Sequence, residues 1–191
     1  MSPKPWPPNP DRLPETVAII GAGPLGRWLA LAAARAGFRV LLEDVMPASL
    51  HHAQEFIRRE LGPEALSSVA FVSTIEEAVR EADLVIDCVP DELESKLEIL
   101  WLLDRMAPPR AVIATPTMRL SIADLASCTY RPQQCIAIAA EADTLAANAS
   151  REILLRTTVI TSSETIALLR SFWKKLGFAP TFQPDPAEQS S

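Results

Sequence analysis

Residues 17–44 read VAIIGAGPLGRWLALAAARAGFRVLLED and hold the densest chemical signal in the chain. Gly21, Ala22, Gly23, Pro24, Leu25 and Gly26 form a GxGxxG loop that follows an apolar run and opens a helical pattern. Gly21 permits the tight turn, Gly23 lets a pyrophosphate approach the backbone, and Gly26 lets helix and strand pack closely. The helix N-terminus then offers free N–H groups and the positive end of its dipole to phosphates. Pro24 suits the first helical turn, although it removes one N–H donor. Asp44 closes the next apolar run and is expected to accept from the adenosine ribose hydroxyls. A carboxylate there repels a 2′-phosphate, so NAD is expected rather than NADP. Arg39 precedes that run and Arg27 lies on the helix, so neither reverses the choice.

Hydride removal from an alcohol also needs a base for the hydroxyl proton. The two histidines, His51 and His52, lie on the helix after Asp44, on the adenosine side, and read as solvated surface. Tyr130, the one tyrosine, has Gln134 four residues on, where a Tyr-Lys dyad would need Lys. Lys96, Asp91, Glu141 and Asp143 remain as substitutes, none with a partner visible in the sequence. The three cysteines, Cys88, Cys128 and Cys135, have no CxxC-type spacing and read as reduced, buried thiols rather than disulfides or a metal site.

The elements that must position these residues follow from the pattern. Apolar runs at 16–20, 39–43, 69–73, 83–89, 111–115, 135–139 and 153–161 alternate with helical patterns at 24–37, 47–61, 75–82, 91–106, 121–127 and 163–177, and a last strand covers 179–183. Nearly continuous apolar strands between helices predict a doubly wound α/β fold. Its sheet is mostly parallel, covered by helices on both faces, joined by right-handed crossovers and partly mixed over the last three strands. Residues 15–183 are expected to form one such domain. Before it, residues 1–14 carry six prolines and are expected as an extended arm, with Trp6 available to pack on a neighbour. Residues 184–191 are expected as a flexible tail.

With 191 residues, 48% apolar and 22% charged, the composition is that of a globular protein. A net charge of −6 argues against a nucleic-acid partner. No run approaches the ~18 apolar residues of a membrane span, and the start lacks the basic-then-apolar pattern of a signal peptide, so a cytoplasmic place is expected.

Further motifs join the glycine loop: VPDELESK from Val89 to Lys96, LSIADLA from Leu120 to Ala126, Arg131-Pro132, and TSSETIALLRSFWKKLGFAP over 161–180. Together they resemble the NAD-binding domain of 3-hydroxyacyl-CoA dehydrogenases over most of residues 16–182. The resemblance implies NAD as cofactor, with Asp91 where the family has a cofactor-side Glu and Lys96 where it has a cofactor-contacting Lys. It also places the family's catalytic His on Ala139 and its active-site Ser on Met118. The family's FFNP becomes Ala140-Glu141-Ala142-Asp143. The Glu that orients the family's His falls within 151–154, with Glu152 close. The family's basic CoA-binding hairpin is shortened, with Arg58 and Arg59 the remaining basic pair, and its C-terminal helical domain has no counterpart in these residues. The reading is an NAD(H)-binding protein without the family's dehydrogenase chemistry. The alternative is an oxidoreductase on a small hydroxy or oxo substrate, with a non-His base and a second subunit closing the cleft. A homodimer is expected, because a one-domain remnant leaves apolar surface around the cleft uncovered.

Overall fold

A computed structural model describes residues 13–62, 65–141, 145 and 151–186. Trp6 and most of the proline-rich arm, Ala142, Asp143 and residues 187–191 lie outside the described residues. The strands are β1 (Thr16–Ile20), β2 (Arg39–Glu43), β3 (Val69–Val72), β4 (Leu84–Asp87), β5 (Val112–Pro116), β6 (Cys135–Ile138), β7 (Glu152–Thr157) and β8 (Ala179–Pro184). The helices are α1 (Pro24–Arg35), α2 (Pro47–Leu61), α3 (Ile75–Val79), α4 (Leu93–Met106), α5 (Ile122–Ser127) and α6 (Ser163–Lys175).

The strands form one sheet in the order β3-β2-β1-β4-β5-β6-β7-β8. All neighbours run parallel except β6 and β7, the mixed edge anticipated from the pattern. Side chains alternate across each strand, so the sheet has two apolar faces. Val17, Ile19, Val40, Leu42, Leu84 and Ile86 meet α1, α2 and α6 on one face. Ala18, Ile20, Leu41, Val85 and Ile113 meet α3, α4 and α5 on the other. The chain order reverses between β1 and β4, which puts the ligand-binding crevice at their carboxyl ends.

Polar anchors set the packing at both ends of the sheet. Pro14 is buried and Leu13 packs on the core, because the β1 entrance is fixed by Glu15 and Thr16 N–H groups donating to Asp83. At the other end, β8 runs through Pro184, and Asp185 is buried because its carboxylate accepts from Ser121 Oγ and the Ala123 N–H at the start of α5.

The Arg131-Pro132 motif has a structural explanation. Arg131 pairs with Asp104 at 2.9 Å and donates to the carbonyls of Asp104, Ala107 and Pro108, satisfying the C-terminal end of α4. Cys135 is buried and Cys88 partly so, but Cys128 is exposed, because it falls just past the last turn of α5 on its outer side.

Candidate dinucleotide site

The three loop glycines do three different things. Gly21 has φ +100°, and its N–H donates to the Glu43 carbonyl at 2.8 Å, which ties the β1 exit to β2. A side chain there would also stand 3.1 Å from the Cys88 carbonyl oxygen. At Gly26 a Cβ would lie 1.8 Å from the Gly21 carbonyl oxygen, so α1 approaches the loop too closely for any side chain. At Gly23, the residue preceding α1, a Cβ would meet nothing within 4 Å. That position is open rather than packed, and glycine there leaves the space to a bound group. Pro24 begins α1 without a side-chain cap on the helix. The Leu25 and Gly26 N–H groups therefore remain for an anion, the Arg27 N–H being engaged by the Gly23 carbonyl, and the pyrophosphate of a dinucleotide fits this cradle.

Asp44 stands where β2 ends and holds the loop directly. Its Oδ2 accepts from the Ala22 N–H at 2.8 Å, and its Oδ1 accepts from the Met46 N–H at 2.8 Å. Each carboxylate oxygen has a second lone pair for a ribose hydroxyl. Arg39 pairs with Glu81 at 2.7 Å and Arg27 stacks over Phe56, so neither is presented to a 2′-phosphate. Beside it, Glu43 is 5% exposed. Burial pushes its carboxyl up to about 7, and the neighbouring Asp44 carboxylate adds to the shift. Glu43 was not among the residues singled out from the sequence, although an acid that ends a strand buried over its last four residues is itself the signal of a buried carboxyl.

At the carboxyl end of β4 the two residues implied by resemblance behave differently. Asp91 Oδ2 accepts from the Met118 N–H at 3.0 Å, and the Asp91 carbonyl accepts from Arg119. Asp91 thereby joins the β4–α4 loop to the β5–α5 loop. Lys96 is wholly buried, with Nζ 2.7 Å from Asp87 Oδ1. Its position one turn into α4 aims the ammonium down at the sheet, so it supports the crevice floor instead of opening onto it. Burial pushes the Asp87 carboxyl up, and the Lys96 ammonium pulls the other way. The two make a buried pair whose members each need the other.

Ala139 and Met118, the positions of the family's His and Ser, lie at the ends of β6 and β5, and Met118 is 49% exposed. The Ala139 N–H donates to the Leu154 carbonyl at 2.9 Å. The residue across from Ala139 is therefore an apolar one, while Glu152 stands exposed two residues earlier, at the start of β7. His51, His52, Tyr130 and Glu141 are all exposed; the two histidines lie on α2 and Tyr130 follows α5, while Glu141 comes two residues after Ala139. Arg58 pairs with Glu55, and Arg59 stacks on Phe56. Among the described residues no cluster of three or more His, Cys, Asp or Glu could hold a metal ion, and no helix is long and apolar enough to cross a membrane.

This geometry agrees with what known proteins show. The sequence pattern described as "3-hydroxyacyl-CoA dehydrogenase, NAD binding domain" matches residues 16–182. A probable 3-hydroxybutyryl-CoA dehydrogenase of Bacillus subtilis is 31% identical over 133 residues, covering 63% of this chain and 46% of the relative. A 5-formyl-3-hydroxy-2-methylpyridine 4-carboxylate 5-dehydrogenase of Mesorhizobium japonicum is 31% identical over 130 residues, covering 63% and 42%. The chain thus spans less than half the length of these curated relatives. The solved 3-hydroxyacyl-CoA dehydrogenase of Archaeoglobus fulgidus superposes with a TM-score of 0.77 at 26% identity, over 92% of this chain and 59% of that one. With its glycine cradle, its acid at the end of β2 and its eight-stranded sheet, the chain belongs to the NAD-binding domain family of the 3-hydroxyacyl-CoA dehydrogenases.

Proposed function

We propose that this chain binds NAD(H) over residues 15–183 without performing the family's dehydrogenation through its own side chains. The observation that carries the reading is the Ala139–Leu154 pairing: a methyl and an isobutyl group face each other where the resemblance implies a catalytic His. Bound NAD would supply a hydride acceptor, and NADH a donor. The chain's own residues would hold the pyrophosphate on the first turn of α1 and accept from the adenosine ribose at Asp44. They would orient the remainder of the dinucleotide over the ends of β4 and β5, where Asp91 and Met118 lie. A substrate hydroxyl there would find no histidine, and the one carboxylate at this spot, Asp91, is engaged by the Met118 N–H. Loss of a general base alone costs about 10²- to 10⁴-fold in rate.

Titration of the purified chain with NADH and NADPH, read by nicotinamide fluorescence, tests the binding half: saturable NADH binding with much weaker NADPH binding is expected. Acetoacetyl-CoA reduction with NADH tests the other half, with no turnover expected for the chain or for Ala139→His. Turnover restored by that one substitution would refute the reading that the orienting carboxylate is missing too.

A second reading is favoured by the apolar residues exposed around the crevice: Val45 (77%), Met46 (58%), Leu93 (54%) and Met118 (49%). A homodimer in the cytoplasm would cover them and bring a base from the second copy to a small hydroxy or oxo substrate. The Mesorhizobium relative, named for a pyridine carboxylate rather than a CoA thioester, supports that substrate class. Sedimentation of the chain with and without NADH separates this reading from the first.

A further inference from the structure

One peptide group at the end of β5 is held at both ends by charged side chains. Arg156 Nη2 on β7 donates to the Thr117 carbonyl, and Asp91 Oδ2 accepts from the Met118 N–H at 3.0 Å. These are the two ends of a single peptide plane. Its carbonyl faces a cation and its N–H an anion, so both charges align with its dipole.

The reach across the sheet is set by register. Thr115, Ala137 and Arg156 are direct neighbours on β5, β6 and β7, and so share one face. Arg156 passes over the small Ala137 to reach Thr117, a path that a larger residue at 137 would obstruct. Arg156 is only 9% exposed and forms no ion pair with a described carboxylate. The Asp185 carboxylate, at the end of the adjoining β8, is taken up by Ser121 and Ala123. A buried cation needs a partner of opposite polarity, and among the described residues the peptide carbonyl accepts from it. Arg156 Nε and Asp91 Oδ1 are buried and lack hydrogen-bond partners among the described residues.

The place of this peptide gives the clamp a role. Asp44 lies on the β2 side of the glycine loop and the clamped peptide on the β5 side. A dinucleotide with its adenosine ribose at Asp44 has its nicotinamide half on the clamped side. We propose that Arg156 and Asp91 fix the Thr117–Met118 peptide as the surface on which the nicotinamide half is recognised, Arg156 acting as a positioning residue through that peptide. The proposal rests on the dinucleotide reading above and extends it to the nicotinamide end.

The test compares NADH with ADP-ribose, which carries the adenosine and pyrophosphate but no nicotinamide, using the full chain. Arg156→Gln is expected to weaken NADH about tenfold or more, the scale of one lost charge-assisted hydrogen bond, and to change ADP-ribose by less than about twofold. Arg156→Lys, which keeps a cationic donor, is expected to recover most of the NADH affinity. Equal weakening of both ligands would make Arg156 a general support of the fold and overturn the proposal, as would unchanged NADH binding. If Arg156→Gln does not fold, Asp91→Ala removes the other end of the clamp at a partly exposed position, and the same split is expected. A wild-type chain that binds ADP-ribose as tightly as NADH overturns the clamp alone. One that binds neither overturns the dinucleotide reading and the clamp with it.

Discussion

Replacing Glu43 with Gln should make the protein more stable at neutral and alkaline pH and should flatten its pH dependence. Glu43 ends β2 with its backbone carbonyl engaged by the Gly21 N–H, while its carboxyl is enclosed beside Asp44 and raised from 4.5 to about 7. A folded-state pKa above the unfolded one means that the native chain binds the extra proton between those two values. Stability is therefore undiminished below pH 4.5 and falls as pH rises through about 7. A shift of this size corresponds to roughly 3 kcal/mol at full strength. Because solvent still screens part of the carboxyl, about half of that, ~1.5 kcal/mol, is the expected loss between pH 5 and pH 8. Glutamine keeps the shape and carries no charge, so Glu43→Gln should exceed wild type by about the same amount at pH 8 and match it near pH 5. Urea unfolding at the two pH values, with m-values compared, measures this directly. A variant less stable than wild type at pH 8 would refute the reasoning, since it would mean that the ionised carboxylate has a stabilising partner.

The loop glycines should separate folding from binding. Gly26→Ala forces a Cβ onto the Gly21 carbonyl and should lower stability by about 3 kcal/mol or prevent folding, by thermal melting, whereas Gly23→Ala should melt like wild type yet lose NADH binding. Asp44→Ala removes acceptors of the Ala22 and Met46 N–H groups, so NADH binding should weaken and its margin over NADPH should narrow in parallel titrations. Lys96→Met leaves Asp87 as a lone buried carboxyl and should cost about 3–5 kcal/mol in urea unfolding. The double variant Asp87→Leu/Lys96→Met should recover much of that loss, and a double variant no better than the single would mean the two residues are not coupled.

The glycine spacing, the acid after the second apolar run and the alternation of strands with helices could all be read along the chain. Each depends on neighbours close in sequence: a turn that needs φ above zero, a helix that begins at once, a strand buried on both faces. The antiparallel β6–β7 pair was legible only as a mixed edge. Its register is set by which side chains the sheet buries, and that register places Leu154, not Glu152, across from Ala139. Lys96 shows the limit of local reading. Its motif position was plain, but only the descent of α4 onto the sheet decided that its ammonium meets Asp87 below the crevice.

The fold class and the glycine loop follow from short-range constraints on φ, hydrophobic period and helix ends, all of which can be read along the chain. The state of the charges instead depends on contacts between distant parts of the chain. Glu43 is lifted toward neutrality by enclosure, Asp87 and Lys96 are joined across nine positions, and Arg156 reaches over Ala137 to the peptide that Asp91 holds from the other side. Desolvation and Coulomb attraction depend on what surrounds a group in space, and strands far apart in the chain supply those surroundings here.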